Sequence, residues 1–158
     1  MKSIVIFYSR TGNTKYVAEQ IASNLNSEIL PLIDKKDRSG IWGWLMAGRD
    51  ALKKAKTEIE DYNIALGSYD LIFIGCPNWA GQIPPAIRTF LDAHNWDKKK
   101  FVLFCTQDDA GAEKVFNNLR LLAKGANIIN EKYFNKPLKN KEKTSQEIKE
   151  WLEQIKLY

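Results

Sequence analysis

Four short apolar runs punctuate the chain: Ile4 to Tyr8, Ile29 to Ile33, Leu71 to Ile74 and Phe101 to Cys105. Each is rich in branched or aromatic side chains and reads as a strand. Three of them are apolar at consecutive positions with little alternation, as parallel strands covered on both faces require. The run Ile29 to Ile33 is interrupted by Pro31, which cannot donate to a ladder, and reads as an edge strand. A weaker run, Ile128 to Phe134, completes five.

Helical spacing fills the intervals. Val17, Ala18, Ile21, Ala22 and Leu25 share one face, as do Val115, Phe116, Leu119, Leu122 and Ala123. Ile148, Trp151, Leu152 and Ile155 mark a last helix, which Thr144 and Glu147 can open as a capping box. In Pro84-Pro85-Ala86 a proline can start another, because the first turn needs no amide donor. Strand therefore alternates with helix along the whole chain. That order predicts right-handed crossovers and an α/β fold, a doubly wound five-stranded parallel sheet with helices on both faces.

Composition narrows this picture only slightly. At 158 residues the chain fits one domain, expected to span 1–158. No stretch approaches the roughly 20 apolar residues that span a bilayer, and Met1 and Lys2 lead into the first strand with no export signal, so the expected location is cytoplasmic. Cys76, Cys105 and the single histidine, His94, are too few and too badly spaced for a disulfide framework or a metal site. Both cysteines are expected to be small buried hydrophobes; the alternative is that they meet on neighbouring strands and sense redox state. The net charge is +5 and the pI about 9.1, which alone would suit an acidic partner, an anionic cofactor or nucleic acid. The lysines lie in separate clusters, Lys98 to Lys100 and Lys132 to Lys143, that match no nucleic-acid motif, so a solvated basic face is expected and nucleic acid is not.

In an open α/β sheet, ligands bind beyond the carboxyl ends of the strands, so the residues that follow each strand matter most. After the first comes Ser9-Arg10-Thr11-Gly12-Asn13-Thr14, leading straight into a helix. Free amides and the dipole at a helix start favour an anion there, Gly12 can take positive φ, and Ser9, Thr11 and Thr14 carry hydroxyl donors. An ordinary helix cap has the same composition. No dinucleotide fingerprint and no triphosphate-binding loop occurs elsewhere. After the third run come Pro77, Asn78, Trp79, Ala80 and Gly81. A tryptophan among small turn residues suits a flat aromatic ligand, or else packs on the helix that follows. After the fourth come Thr106, Gln107, Asp108 and Asp109, polar and specific to nothing by themselves.

Tyr8-Ser9-Arg10-Thr11-Gly12-Asn13-Thr14, then Tyr69-Asp70 through Gly75-Cys76-Pro77-Asn78-Trp79-Ala80-Gly81, then Pro85-Ala86-Ile87-Arg88-Thr89-Phe90-Leu91, closely resemble the flavodoxins and flavodoxin-like proteins over nearly the full length. The resemblance implies strand order 2-1-3-4-5 and noncovalent FMN. It implies that Ser9 to Thr14 hold the phosphate, while Pro77 to Gly81 and Thr106 to Asp109 enclose the ring. The implied function is electron transfer to a redox partner protein or a small-molecule acceptor. The alternative is an NAD(P)H-dependent quinone reductase, which suits the positive charge but lacks a visible second nucleotide site.

Three departures from the family pattern stand out. Electron-carrier flavodoxins are typically acidic and this chain is basic. Asp108 and Asp109 stand where many relatives have small residues. The loop that splits the last strand in long-chain flavodoxins is absent, so the chain resembles the short form. One segment stays unassigned, Ile41 to Arg49, with two tryptophans. The core face of a second helix, continued by Ala51, Leu52 and Ala55, is the preferred reading over a partner surface or a lid.

Overall fold

The computed structural model describes residues 1–38 and 40–155, leaving aside the side chains of Trp44 and Ala51. Five parallel strands form one sheet: β1 (Ser3–Phe7), β2 (Glu28–Pro31), β3 (Leu71–Pro77), β4 (Lys100–Gln107) and β5 (Asn127–Asn135). Their order is β2-β1-β3-β4-β5. The edge position expected of the proline-bearing strand is the one it takes. Five helices alternate with the strands: α1 (Asn13–Leu25), α2 (Gly40–Leu52), α3 (Pro85–Asp92), α4 (Ala112–Leu122) and α5 (Lys141–Ile155).

The central strands are apolar throughout because both of their faces are covered. Val5, Phe7, Phe73, Val102 and Phe104 pack against Val17 and Ile21 of α1 and Ile148, Trp151 and Leu152 of α5. On the opposite face Ile4, Ile6, Ile72, Ile74, Leu103 and Cys105 meet Ile87 and Phe90 of α3 and Val115 and Leu119 of α4. Gly75 is needed in this sheet, since a β carbon there would run into the Phe104 ring.

Two expectations fail. The last helix starts at Lys141, three residues before the proposed cap, and Thr144 is buried inside it with its amide donating to Asn140 O at 2.9 Å. A turn closed by Lys139 N to Lys136 O at 2.9 Å and Asn140 N to Pro137 O at 3.2 Å leads directly into that start. The second correction concerns α2. Ile41, Trp42, Leu45 and Leu52 are exposed, Leu52 by 62%; Gly43 and Ala47 are buried, but among the described residues none of α2 joins either of the two large apolar clusters. The core-face reading of Ile41 to Arg49 holds for Gly43 and Ala47 and fails for Ile41, Trp42 and Leu45; helical periodicity marks an apolar stripe without saying what covers it. The helix itself stops at Leu52, short of Ala55, while Trp44 and Ala51 side chains lie outside the described residues.

What fixes α2 is ionic. Arg38, buried just before the helix, donates from Nε to Asp34 Oδ2 at 2.6 Å and from Nη1 to Asp50 Oδ2 at 2.9 Å. Lys36 Nζ reaches the same Asp50 oxygen at 2.8 Å, and Thr57 Oγ1 donates to Asp34 Oδ1 at 2.6 Å. The hydrogen bond from Lys36, then that from Arg38, holds the Asp50 carboxyl below its ordinary range. With both oxygens of Asp34 and one of Asp50 engaged, the buried charges are compensated, as burial demands.

Candidate functional site

At the carboxyl ends of β1, β3 and β4 three connections enclose a cleft of about 150 Å³. Its walls are Arg10, Thr11, Asn13, Pro77, Asn78, Trp79, Thr106, Gln107 and Asp108. All of these were expected from the sequence. Of the remaining expected residues, Ser9, Gly12, Thr14, Ala80, Gly81 and Asp109 do not line it, and most of them shape it instead.

The first connection turns at Gly12, whose φ of 90° is a left-handed conformation that L side chains rarely adopt. Its amide donates to Ser9 Oγ at 3.2 Å, and no side chain caps α1, so the helix opens towards the cleft without a protein acceptor at its start. Asn13 is oriented on both sides: Nδ2 donates to Thr11 Oγ1 at 3.1 Å, and Oδ1 accepts from the Leu138 amide at 3.2 Å. Thr14 is not the free hydroxyl donor that was expected. It is buried and hydrogen-bonded to Thr106 Oγ1 at 2.7 Å, which locks the first turn of α1 onto β4. Arg10 carries a buried Nε with no hydrogen-bond partner. An orphaned guanidinium nitrogen beside an uncapped helix start is what an anion site looks like before its anion arrives.

The second connection is a tight turn. Trp79 and Gln82 exchange backbone hydrogen bonds at 3.1 and 3.0 Å, with Ala80 (φ 53°) and Gly81 (φ 79°) both left-handed between them, as a type I′ turn requires. Asn78 braces it: its Oδ1 accepts from the Gly81 amide at 2.7 Å, and its Nδ2 donates to Ala110 O at 2.8 Å in the third connection. Trp79 is half-buried and packs against the apolar core that includes Ala86, Ile87 and Phe90 of α3. It stands edge-on to Tyr8, ring centroids 5.6 Å apart at 88°, with the Arg38 guanidinium 6.0 Å from its ring centre. Burial first, then the Asp34 charge, pushes the Tyr8 phenol up to about 12, so Tyr8 is a neutral aromatic prop.

In the third connection Thr106 and Gln107 are not loop residues. Both are buried in β4, which extends beyond its apolar run because Pro77 pairs with Thr106 in the ladder. Gln107 Nε2 donates to Asp109 O at 3.2 Å and to Asn135 Oδ1 at 3.1 Å. Asp108 and Asp109 are both exposed, and only Asp108 reaches the cleft wall. Beneath the cleft Cys76 and Cys105 are register partners on β3 and β4, fully buried. Burial pushes both thiols up, Cys105 to about 12, so neither offers a thiolate. They do meet, as the less favoured reading had it, but as inert side chains.

The family model described as Flavodoxin matches residues 2–155. The chain belongs to the flavodoxin family. No curated protein matches it. Among solved structures, this flavodoxin-family chain is 27% identical to a flavoprotein from Lactobacillus acidophilus solved in complex with FMN, with 88% of this chain and 97% of that one covered and a TM-score of 0.74. A candidate flavoprotein from Bacteroides uniformis superposes at TM-score 0.80 with 20% identity over 96% and 97% of the two chains. General stress protein 14 of Treponema denticola, also solved with FMN, gives 0.61 at 12% identity over 97% and 98%. The last two show likeness of fold.

Sequence reasoning missed the props around the flavodoxin-family motifs. Tyr8 sits inside the first motif without being singled out. Leu138, whose Cδ1 would lie 3.5 Å from a β carbon on Gly12, comes from a connection 126 residues away and left no local signal. Among the described residues no helix is long and apolar enough to cross a membrane, and no cluster of residues could hold a metal ion.

Proposed function

We propose that the chain holds FMN noncovalently in the cleft and acts as an electron carrier for a redox partner protein or small-molecule acceptor. The observation that carries this reading is the uncapped start of α1 beside the orphaned Arg10 Nε, at the edge of a cleft walled by the family's own motifs. FMN in the 27% identical Lactobacillus acidophilus flavoprotein supports it. Bound FMN supplies one- and two-electron chemistry at its ring, and the protein supplies binding, orientation and electrostatics.

Each group then has a task. The Ser9 to Thr14 turn presents backbone amides and the Thr11 hydroxyl to the phosphate, and the dipole of α1 favours that charge by about 0.3–1 kcal/mol. Asn78 and Gln107 fasten the second and third connections to each other, their side chains 3.3 Å apart from Nδ2 to Oε1. Trp79 offers a flat face that Tyr8 and Arg38 keep in place, worth roughly 0.5–1.5 kcal/mol to a stacked ring beyond the area it buries. The lining side chains include no histidine, lysine or cysteine. A second reading, an FMN-dependent oxidoreductase acting on NAD(P)H and a quinone, is favoured by a further cavity against Trp79.

Adding FMN to the purified protein tests the cofactor. Flavin absorption bands should shift and flavin fluorescence should fall; free-flavin spectra at saturating protein would remove it. NADPH oxidation with and without a quinone separates the two readings, since a carrier turns over slowly alone and an enzyme rapidly.

A further inference from the structure

The apolar stripe of α2 forms one wall of a cavity of about 570 Å³. Leu45, Ala47 and Leu52 stand on one side, Trp79 and Ala80 on the other, and Arg10 and Arg49 mark its polar margin. That volume falls within the roughly 300–1,000 Å³ usual for small-molecule sites, and exceeds that of the cofactor cleft, with which it shares Trp79. Trp42 and Leu45 are 81% and 49% exposed, so no other part of the described chain closes over this face.

Its charge is one-sided. No carboxylate lines the cavity among the described residues. The nearby Asp50 gives Oδ2 to Arg38 and Lys36, and Arg49 Nε stands 3.9 Å from its Oδ1. Arg10 lines this cavity as well as the cleft at the strand ends, so its charge acts on both. The wall is also fixed in place, because Arg38 binds Asp50 of α2 while its guanidinium lies over the Trp79 ring. Leucine and tryptophan walls select a flat apolar body, and the guanidiniums of Arg10 and Arg49, the latter only loosely paired with Asp50, select an anionic substituent on it.

We propose that this groove between α2 and the Trp79 turn is a binding site for a small aromatic anion, an arene or quinone that carries a carboxylate or sulfonate. As a binding site it does not need the cofactor. As the seat of the acceptor that exchanges electrons with FMN, it rests on the reading above.

The probe is naphthalene-2-sulfonate, titrated calorimetrically into the full chain with and without FMN, with neutral 2-naphthol as control. Saturable one-to-one binding is expected in both forms, several-fold weaker for 2-naphthol. Leu45→Asp with Leu52→Asp should weaken it at least tenfold and Arg49→Ala several-fold, while both variants keep wild-type FMN affinity. Absence of saturable binding at millimolar probe, or binding that the variants leave unchanged, overturns the proposal. So does competition between the probe and FMN, which would make the groove part of the cofactor seat. Concentration-dependent dimerisation abolished by the α2 substitutions would also overturn it, by showing that a second copy covers the face. Probe binding in a chain that ignores FMN would keep the site and sink only its role with the flavin. FMN binding without probe binding would sink the site and leave the cofactor reading standing.

Discussion

The cleft at the strand ends and the α2 groove share Trp79, yet the first is floored by the ends of central strands and the second hangs on one buried ionic knot. Pro77, Thr106 and Gln107 belong to β3 and β4, so the floor of the cleft is fixed by the middle of the sheet. The α2 wall touches neither apolar core among the described residues and depends on Asp34, Arg38 and Asp50. Precision at the cleft floor comes from topology; position at the groove comes from the charges of Asp34, Lys36, Arg38 and Asp50, and charges can be removed one at a time.

Arg38→Met is the sharpest way to separate the two. It leaves Asp34 and Asp50 without their shared cation, and breaking a buried pair from one side costs about 3–5 kcal/mol. That loss should appear locally, as amide exchange protection lost from α2 with the central strands still protected. Equal loss across the sheet would show that α2 and the cleft form one cooperative unit.

Acid should do the same more gently. The Asp50 carboxyl is held below its ordinary range, so its contribution is complete above the unfolded value of about 3.9 and disappears as pH falls through the lower folded value. Exchange in α2 should therefore hold down to about pH 4 and rise below it. Loss of α2 protection already at pH 6 would assign the anchor to some other group.

A smaller effect tests the shared wall. Trp79→Phe keeps an aromatic face and removes one of the protein's 5 tryptophans, so FMN should quench less of the remaining fluorescence while its affinity falls by about 1 kcal/mol or less. Quenching of the same amplitude in wild type and variant would take Trp79 out of contact with the ring.

How much of this could be read from the chain divides along the same line. The strands follow from apolar runs and the cleft wall from what succeeds them, because a parallel sheet forces its ligand residues to the strand ends; the strand order and the choice of those loops as the site came with the family resemblance. The extension of β4 to Gln107 was hidden, since Thr106 and Gln107 look like loop residues until Pro77 pairs beside them. The Thr14 to Thr106 hydrogen bond turned an expected ligand donor into a structural tie. In α2 the periodicity was correct and the conclusion held only for Gly43 and Ala47: burial of a helix face is decided by partners, and its anchor joins positions 34, 38 and 50 that no local pattern connects.

Charge at the rim gives the smallest effect. Asp108 lines the cleft and Asp109 does not, although both are exposed. Asp108→Asn should raise the potential of the second one-electron reduction by on the order of 30 mV at low salt, because solvent screens an exposed carboxylate. Asp109→Asn should change it less. A dye-equilibrated redox titration decides, and a larger shift for Asp109→Asn would place the third connection differently around the ring.

The most direct test of the account compares FMN with riboflavin, which lacks only the phosphate. Titrating each into the apoprotein and following flavin fluorescence gives two affinities. A hydrogen bond to a charged group is worth about 1.5–3 kcal/mol, so FMN should bind at least roughly tenfold more tightly. Thr11→Ala should narrow that gap by weakening FMN and leaving riboflavin almost unchanged. Equal affinities for the two flavins in the wild-type protein would contradict the claim that the turn from Ser9 to Thr14 holds the phosphate.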